Sequence, residues 1–447
     1  MLTEGLKMDV TFIYPQSPYL MKKTPFPPLG IGYLSSLLKE RDYSVELVDG
    51  LISSEEEYRK SLGNIKGDII GISVSIVQLG ELKRLCKWLN QAYPESTVIV
   101  GGPGVKCIEV KNSFTDYDAD IFVVGEGEET CVNLVDALIS GERYESIPGL
   151  YYRSNGDIRY SGAPGVVQDL DSIPFPDRDL INVSEYLRIW KENVDLACTD
   201  LLSSRGCPYS CIFCDKGFFG SNIRFHSGKY VVDEMETIVK EYNAEELYFV
   251  DDLFLINKER ITTICEEIHE RDLHIRWGGH GRVNLIDEET IKMVYDAGCR
   301  EINFGVESGS ERIIKYLKKG LTFDQVERAF ELCHKYDIAC GAYFMVGIPG
   351  ETREDIELTK KIIKKIRPSF INVSFLTPYP GTRLYEMLED MIGDVDYSEW
   401  DDLQKSVLNY DFEVNPKVSH KEVIQWFIDE VDPSRMDFNI YFKEDDA

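Results

Sequence analysis

The stretch "LLSSRGCPYSCIFCDK" at residues 201–216 decides the fold, because it places three cysteines within eight residues. Cys207, Cys211 and Cys214 follow an extended segment and lie in a loop that Gly206 and Pro208 open. Three interpretations are open for this loop: a disulfide knot, a structural metal site and a catalytic metal centre.

Composition bears on the first of these interpretations. The chain has 447 residues, of which 43% are hydrophobic, so it has room for two or three folded domains. It has eleven cysteines, and neither a signal-like apolar start nor an apolar run near 18 residues is visible in the sequence. We therefore expect a reducing, cytoplasmic location without a membrane span, which disfavours a disulfide knot.

The charge of the chain restricts its partners. A formal net charge of −29 and a pI near 4.7 repel phosphate backbones and anionic lipid surfaces. We therefore expect no nucleic acid as a main partner.

Residues 1–145 alternate short apolar runs with helical patterns, which predicts a doubly wound parallel α/β sheet of the flavodoxin or Rossmann type. Ligands of such sheets bind at the carboxyl ends of the strands. The predicted strand ends here are polar or rich in glycine. Such residues occur both in ligand-binding loops and in simple turns, and both interpretations are open here. They contain the candidate residues Ser73, Ser75, Gly101, Gly102, Gly125, Glu126 and Gly127.

Residues 146–190 are predicted to be a connector, because the stretch at 169–181 is rich in proline and aspartate and shows no sustained periodicity. The alternation restarts over residues 191–390 with six predicted strands, which favours a partial (β/α)6 barrel over a complete eight-unit barrel. Residues 391–447 are predicted to form a small helical cap with an acidic tail.

The spacing Cys207-x3-Cys211-x2-Cys214 lets three thiolates converge on one metal centre. Structural zinc normally takes four Cys or His ligands, and the nearest histidine, His226, lies twelve residues beyond the last cysteine. Three ligands suit a four-iron cluster with one open iron better, although zinc remains an alternative from the residues alone.

With this loop after the first strand of a partial barrel, the chain resembles the radical S-adenosylmethionine (SAM) superfamily. Phe213 before the last cysteine fits that pattern, as do "YFVDDLF" (248–254), "INFGVESGS" (302–310) and "MVGIPGET" (345–352). The motifs "PPLGIGYLSSLL", "VIVGGPG" and "VVGEGEET" are similar to the subgroup with an N-terminal cobalamin (B12)-binding-type domain. The resemblance spans roughly residues 8–390.

The resemblance implies roles for individual residues. Cys207, Cys211 and Cys214 would ligate three irons of a 4Fe–4S cluster, and SAM would bind the fourth. Asp251 and Asp252 replace the family's Gly-Gly-Glu turn, so which carboxylate accepts from the methionine ammonium is open. The other implied SAM contacts are Phe213 and Gly347 at the adenine, Glu307 and Ser308 at the ribose or methionine, and Arg282 at a carboxylate.

The implied chemistry is reductive cleavage of SAM to a 5′-deoxyadenosyl radical, which takes a hydrogen atom from a small-molecule or natural-product-like substrate. An electron donor such as flavodoxin or ferredoxin is implied as a partner. The substrate-side catalytic residue is unknown, and Tyr343, Tyr379 and Arg282 are candidates.

Cobalamin is the third implied cofactor, and with it methylation of an unactivated carbon. None of the six histidines lies in the first 145 residues, so no histidine of this domain would ligate the cobalt. Ile76 and Val77 are then expected below the corrin ring. An empty B12-type domain, with dehydration, epimerisation or C–C bond formation, is the main alternative. A tRNA methylthiotransferase and a non-catalytic zinc or corrinoid-binding protein are minor ones.

Overall fold

The computed structural model describes residues 9–17, 24–216 and 218–392. It forms two compact units, the first containing residues up to Thr199 together with 218–220, and the second containing Asp200–Lys216 and the residues from Ser221 onward.

The first unit is built from buried apolar strands whose connecting helices cover the sheet. Its strands are β1 (Val10–Tyr14), β2 (Val45–Asp49), β3 (Ile69–Ser73), β4 (Thr97–Gly101), β5 (Ile121–Val123), β6 (Leu150–Ser154) and β7 (Asp157–Tyr160). Its helices are α1 (Leu29–Lys39), α2 (Glu55–Leu62), α3 (Leu79–Ala92), α4 (Val105–Lys111), α5 (Glu128–Ser140) and α6 (Val183–Val194).

The described strands of this unit form one sheet in the order β2-β1-β3-β4-β5-β6-β7. The first five positions of the order are parallel, which confirms the doubly wound sheet, and their carboxyl ends lie at one edge. The segment 146–190, predicted as a connector, instead carries the antiparallel strands β6 and β7 and the start of α6. The hairpin of β6 and β7 turns at Asn155 and Gly156, which both have positive φ, so the prediction overlooked a turn signal that the sequence contains.

The second unit contains a six-stranded sheet and a two-stranded ribbon. Its strands are β8 (Cys198–Leu201), β9 (Ser204–Arg205), β10 (Arg224–Phe225), β11 (Glu246–Phe249), β12 (Arg276–Gly281), β13 (Cys299–Glu307), β14 (Ala339–Val346) and β15 (Phe370–Phe375). Its helices are α7 (Gly228–Tyr242), α8 (Lys258–Glu270), α9 (Glu288–Asp296), α10 (Glu311–Tyr316), α11 (Phe323–Lys335), α12 (Arg353–Ile366) and α13 (Arg383–Ile392).

In the described residues, the large sheet has the order β15-β14-β13-β12-β11-β8, so each strand lies beside its neighbour in sequence. The strands from β11 to β15 pair in parallel with one another, as predicted for a partial βα barrel. The predicted C-terminal cap beyond residue 392 lies outside the described residues.

Side chains alternate between the two faces of each strand. On β13, Phe304 packs on Phe330 of α11 with ring centroids 5.4 Å apart, so even-numbered residues of β13 face the helices. Asn303 therefore faces the barrel interior, where Tyr248 bonds to it. Polar side chains such as Asn303 and Tyr248 therefore lie on the face of the sheet that points into the barrel, away from the helices.

Candidate functional site

The three cysteines lie in a loop that is held at its base and at its middle. The antiparallel pair β9–β10 closes the base, with Arg205 opposite Arg224. Between the cysteines, the buried residue Ile212 donates its amide to Leu317 O (3.1 Å), and its carbonyl accepts from Leu384 N (2.8 Å). The loop of residues 206–216, called the cysteine loop below, is thus fixed on the barrel independently of any ligand.

The thiols of the cysteine loop suit a cluster of several irons. All eleven cysteines of the chain are free, and Cys207 and Cys211 are half-buried while Cys214 is exposed. In the described part of the chain, no three His, Cys, Asp or Glu side chains lie close enough to share one metal ion. Three cysteine thiols on one loop are the donor set of a 4Fe–4S cluster that leaves one iron open to another ligand.

Asp251, after β11, is committed to the loop's own structure. Its side chain is 0% exposed and accepts from Ser203 N (2.7 Å), Ser203 Oγ (2.7 Å) and Ser204 Oγ. Burial raises the pKa of Asp251, while the charge of Arg260 and these three donors oppose that shift. Asp251 is therefore turned away from the site in which the sequence placed it.

Asp252, in contrast to Asp251, lies at the surface. It is exposed, and its carboxylate accepts the amide N–H of Gly206 at the start of the cysteine loop. Its charge acts on Cys214. Of the two adjacent aspartates, Asp252 is the one whose carboxylate faces the cysteine loop and can accept from a ligand.

Glu307 ends β13 with a left-handed φ of +69°, an uncommon conformation for a residue with a side chain. This conformation directs its carboxylate to Lys319, whose Nζ donates to Oε1 at 2.6 Å. Side-chain exposure is 8% for Glu307 and 11% for Lys319. The Lys319 ammonium also lies 5.8 Å from the centroid of the Phe213 ring, so the strand end and the cysteine loop meet here.

Ser308 does not share this position. It is fully buried, and its hydroxyl lies 3.3 Å from Thr359 Oγ1 and accepts from Ser310 N at 3.2 Å. Ser308 therefore joins β13 to α12 and does not face the cysteine loop, although its sequence neighbour Glu307 does.

The turn after β14 is organised by a residue that the sequence analysis missed. Gly347 has φ +76°, and its N–H donates to Glu351 Oε2 at 2.7 Å. Ile348 N donates to the same oxygen at 3.4 Å. Burial raises the pKa of Glu351 to about 7, and its Oε1 has no hydrogen-bond partner within the described residues. The acidic side chain thereby shapes the turn that the sequence assigns to the adenine.

The barrel interior contains an aromatic and polar group around His280. The His280 ring lies 5.4 Å from the Tyr248 ring and 5.8 Å from the Tyr343 ring between centroids. Tyr248 OH accepts from Asn303 Nδ2 at 2.6 Å. Burial lowers the pKa of His280 to about 4, so the imidazole is neutral near pH 7. Alternation along β11–β14 was the signal that could have found this group.

Tyr379, the third catalytic candidate, follows β15. It is half-buried, and burial together with the charge of Asp215 raises the pKa of its phenol to about 12. Since Asp215 directly follows Cys214, this places Tyr379 near the cysteine loop. Tyr343 and Tyr379 thus belong to different parts of the second unit, the barrel interior and the loop.

In the first unit, a buried amide shapes the loop after β3. Gln78 is fully buried, its Nε2 donates to Pro15 O (2.7 Å), and its Oε1 accepts from Ser75 N (2.8 Å) and Ser75 Oγ (3.0 Å). Ser75 is therefore occupied within the loop. Ser73 and Ile76 are half-buried and Val77 is buried.

The glycine-rich ends of β4 and β5 line a cavity of about 260 Å³. Gly102 has φ +89° and passes Val74 so closely that a Cβ would lie 2.7 Å from Val74 O. A side chain at this position would therefore distort the edge. Residues lining the cavity include Gly102, Pro103, Lys106, Gly125, Glu126 and Val166, whereas Gly127 is the N-cap residue of α5. Glycines at this edge let a ligand approach the backbone of the strand ends closely, which is where such sheets bind ligands.

Comparison with known proteins agrees with this geometry. Residues 201–391 match the family model of the radical SAM superfamily, and residues 23–135 match that of the B12 binding domain. An uncharacterized methyltransferase of Pyrococcus horikoshii is 33% identical over 385 residues, which are 85% of this chain and 83% of the relative. The anaerobic magnesium-protoporphyrin IX monomethyl ester cyclase of Rubrivivax gelatinosus is 28% identical over 384 residues, 84% of this chain and 68% of the relative.

Among solved structures, the chain is similar to the radical SAM methyltransferase TsrM of Kitasatospora setae, with cobalamin and a 4Fe–4S cluster bound. The TM-score is 0.76 at 18% identity, and the match covers 96% of this chain and 93% of TsrM. This likeness shows a shared fold.

The chain therefore belongs to the radical SAM superfamily, in the group whose radical SAM domain follows a B12-binding domain. It is a radical SAM enzyme, and the cofactors of its class are a 4Fe–4S cluster, SAM and cobalamin. Among the described residues, no helix is long and apolar enough to cross a membrane.

Proposed function

We propose that this enzyme methylates an unactivated carbon of a small-molecule substrate in a cobalamin-dependent reaction. The observation that carries the proposal is the similarity to the Pyrococcus methyltransferase, which extends over both domains and over all three loop cysteines. The acidic surface supports a small substrate over nucleic acid.

Cys207, Cys211 and Cys214 would hold the cluster, and the anchored Ile212 keeps their loop in place before metal enters. When bound, the cluster supplies the electron that cleaves SAM, and cobalamin supplies the methyl group that reaches the substrate. An electron donor such as flavodoxin or ferredoxin would supply the electron that reduces the cluster. The eleven free cysteines support a reducing, cytoplasmic location.

For SAM, the geometry favours Asp252 as the acceptor of the methionine ammonium, with Asp251 as a positioning residue beneath it. Glu307 would accept from ribose hydroxyls or the methionine moiety once it exchanges its bond to Lys319. Phe213 would lie against the adenine, and the Gly347 turn would form its floor. Ser308 is too buried for a direct contact and would act only through the strand end.

For cobalamin, the first unit would supply backbone and apolar contacts. Gly101, Gly102, Gly125 and Gly127 allow close approach of the corrin to the strand ends, and Ile76 and Val77 would lie below the ring. No histidine occurs in this unit's sequence before residue 199, so this domain would offer the cobalt no histidine ligand.

The test is anaerobic reconstitution with iron, sulfide and cobalamin, followed by incubation with SAM, reductant and a small-molecule extract. We expect bound corrinoid and the joint formation of 5′-deoxyadenosine, S-adenosylhomocysteine and a product heavier by one methyl group. Cys214→Ala should abolish 5′-deoxyadenosine formation, whereas Cys86→Ala, a buried cysteine of α3, should leave it intact.

A second function has one specific observation in its favour, the 28% identity to a cyclase, which forms a ring instead of adding a methyl group. Hydrogen abstraction without methyl transfer would yield 5′-deoxyadenosine without S-adenosylhomocysteine. That result, together with the absence of bound corrinoid, would contradict methylation and favour ring formation or a related radical reaction as the function.

A further inference from the structure

Arg282, directly after β12, contacts the cysteine loop through a thiol. Its NH1 donates to Cys211 Sγ at 3.7 Å, and its Nε donates to Asn284 Oδ1 at 2.9 Å. The guanidinium carbon lies 3.6 Å from the centroid of the Tyr209 ring, and Asn284 Nδ2 donates in turn to Tyr209 OH at 3.0 Å. The ring and the amide together fix the plane of the guanidinium.

This guanidinium is buried, and no carboxylate of the described residues forms an ion pair with it. Arg282 is 7% exposed, and none of the ion pairs within the described residues involves it. Its NH2 has no hydrogen-bond partner in the same part of the chain. A buried cation is costly unless an anion or several acceptors compensate it. The Cys211 sulfur is the acceptor that already lies against it, and a thiolate there would provide the missing negative charge.

We propose that Arg282 raises the reduction potential of the cluster by donating a charge-assisted hydrogen bond to the Cys211 ligand. Reduction adds one negative charge to the cluster, and a fixed cation with an N–H directed at a ligand sulfur stabilises that reduced state more than the oxidised one. Tyr209 and Asn284 are the positioning residues of this bond. The inference rests on Cys211 being a cluster ligand, as proposed above.

The test is a redox titration of the reconstituted cluster without SAM, followed by electron paramagnetic resonance of the reduced form. In Arg282→Gln, we expect the ratio of reduced to oxidised cluster at a fixed potential to fall about tenfold, which is about 59 mV for a one-electron couple. Arg282→Lys keeps the charge but not the planar fork, so its ratio should fall less.

Arg300→Gln is the matched control. Arg300 also stacks on a tyrosine, with its guanidinium carbon 4.3 Å from the Tyr295 ring centroid, and its NH1 donates to the carbonyls of Tyr295 and Cys299. It contacts no residue of the cysteine loop through these bonds. Its variant should therefore leave the potential unchanged while removing the same formal charge.

An Arg282→Gln enzyme with full iron and sulfide content and an unchanged potential overturns the proposal. If that variant keeps no cluster, the proposal is tested instead by electron paramagnetic resonance of wild-type enzyme labelled with guanidino-15N arginine. We expect a 15N hyperfine coupling at its reduced cluster, retained in Arg300→Gln, and the absence of any such coupling overturns the proposal. Failure of the proposed function looks different, because wild type would then show no 4Fe–4S signal at all or a normal cluster without a methylated product.

Discussion

The two adjacent aspartates after β11 should fail in different ways when each is changed to asparagine. Asp251→Asn keeps the volume but loses an acceptor oxygen, so one or two of the three donors from Ser203 and Ser204 are left unsatisfied in a fully buried place. Hydrogen bonds to a charged group are worth about 1.5–3 kcal/mol each. The buried charge of Arg260 also loses its nearby anion.

We therefore expect Asp251→Asn to cost about 2–4 kcal/mol in the free energy of unfolding. With an m-value of about 2–3 kcal/mol/M, this shifts the urea midpoint of the apo-protein by about 1 M, measured by far-UV circular dichroism under reducing conditions. Asp252→Asn removes an exposed carboxylate and should change stability by less than about 0.5 kcal/mol.

SAM binding should show the reverse order. Loss of one charge-assisted bond to the methionine ammonium weakens affinity about 10- to 100-fold in Asp252→Asn, as measured by equilibrium dialysis on the oxidised, reconstituted enzyme. Asp251→Asn that still carries its cluster should bind SAM within a few-fold of wild type. Equal urea midpoints for the two variants, or weaker SAM binding only in Asp251→Asn, would refute the reasoning.

Three further predictions follow from the same unit. Gly305→Ala should lower SAM affinity at least about tenfold by dialysis, because its Cβ would enter the space of the Glu307–Lys319 ion pair, whereas Gly30→Ala on α1 has open space and should not. Glu351 should contribute thermal stability that falls from about pH 4.5 to pH 7, because burial raises its pKa to about 7 and the folded chain therefore binds this proton more tightly than the unfolded chain. The stability of wild type relative to Glu351→Gln should fall over this range, and a constant difference would count against the assignment. Iodoacetamide should label Cys214 of the apo-protein well before Cys265, because Cys214 is exposed and Cys265 is buried in α8; equal rates by mass spectrometry would contradict the exposure described here.

Much of the fold was legible from local patterns. Apolar runs of strand length alternating with amphipathic helices predict parallel sheets because a parallel connection requires a crossover, and both sheets are confirmed. The antiparallel strands β6 and β7 were missed although the sequence carries their signal, because Asn155 and Gly156 between them form the two-residue turn with positive φ that is typical of a β-hairpin.

The candidate site was legible only as a set of residue types. The sequence placed Asp251 and Asp252, and Glu307 and Ser308, as equivalent neighbours, since proximity along the chain says nothing about direction. In the structure, the turn after β11 and the positive φ of Glu307 at the end of β13 direct one member of each pair toward the cysteine loop and the other into the core.

By itself, the sequence determined the chemistry available to this protein. Three cysteines at fixed spacing, a carboxylate after each of two strands and glycine-rich strand ends without histidine define which cofactors the chain can hold. Only the tertiary structure decided the hydrogen-bond partners of Arg282, Lys319 and Gln78, because each partner lies far away in the sequence. The partner of Glu351 is close in sequence, but the contact depends on the conformation of the turn after β14. Such contacts depend on which strand ends meet at one edge of the sheet, and that is a property of the packed fold.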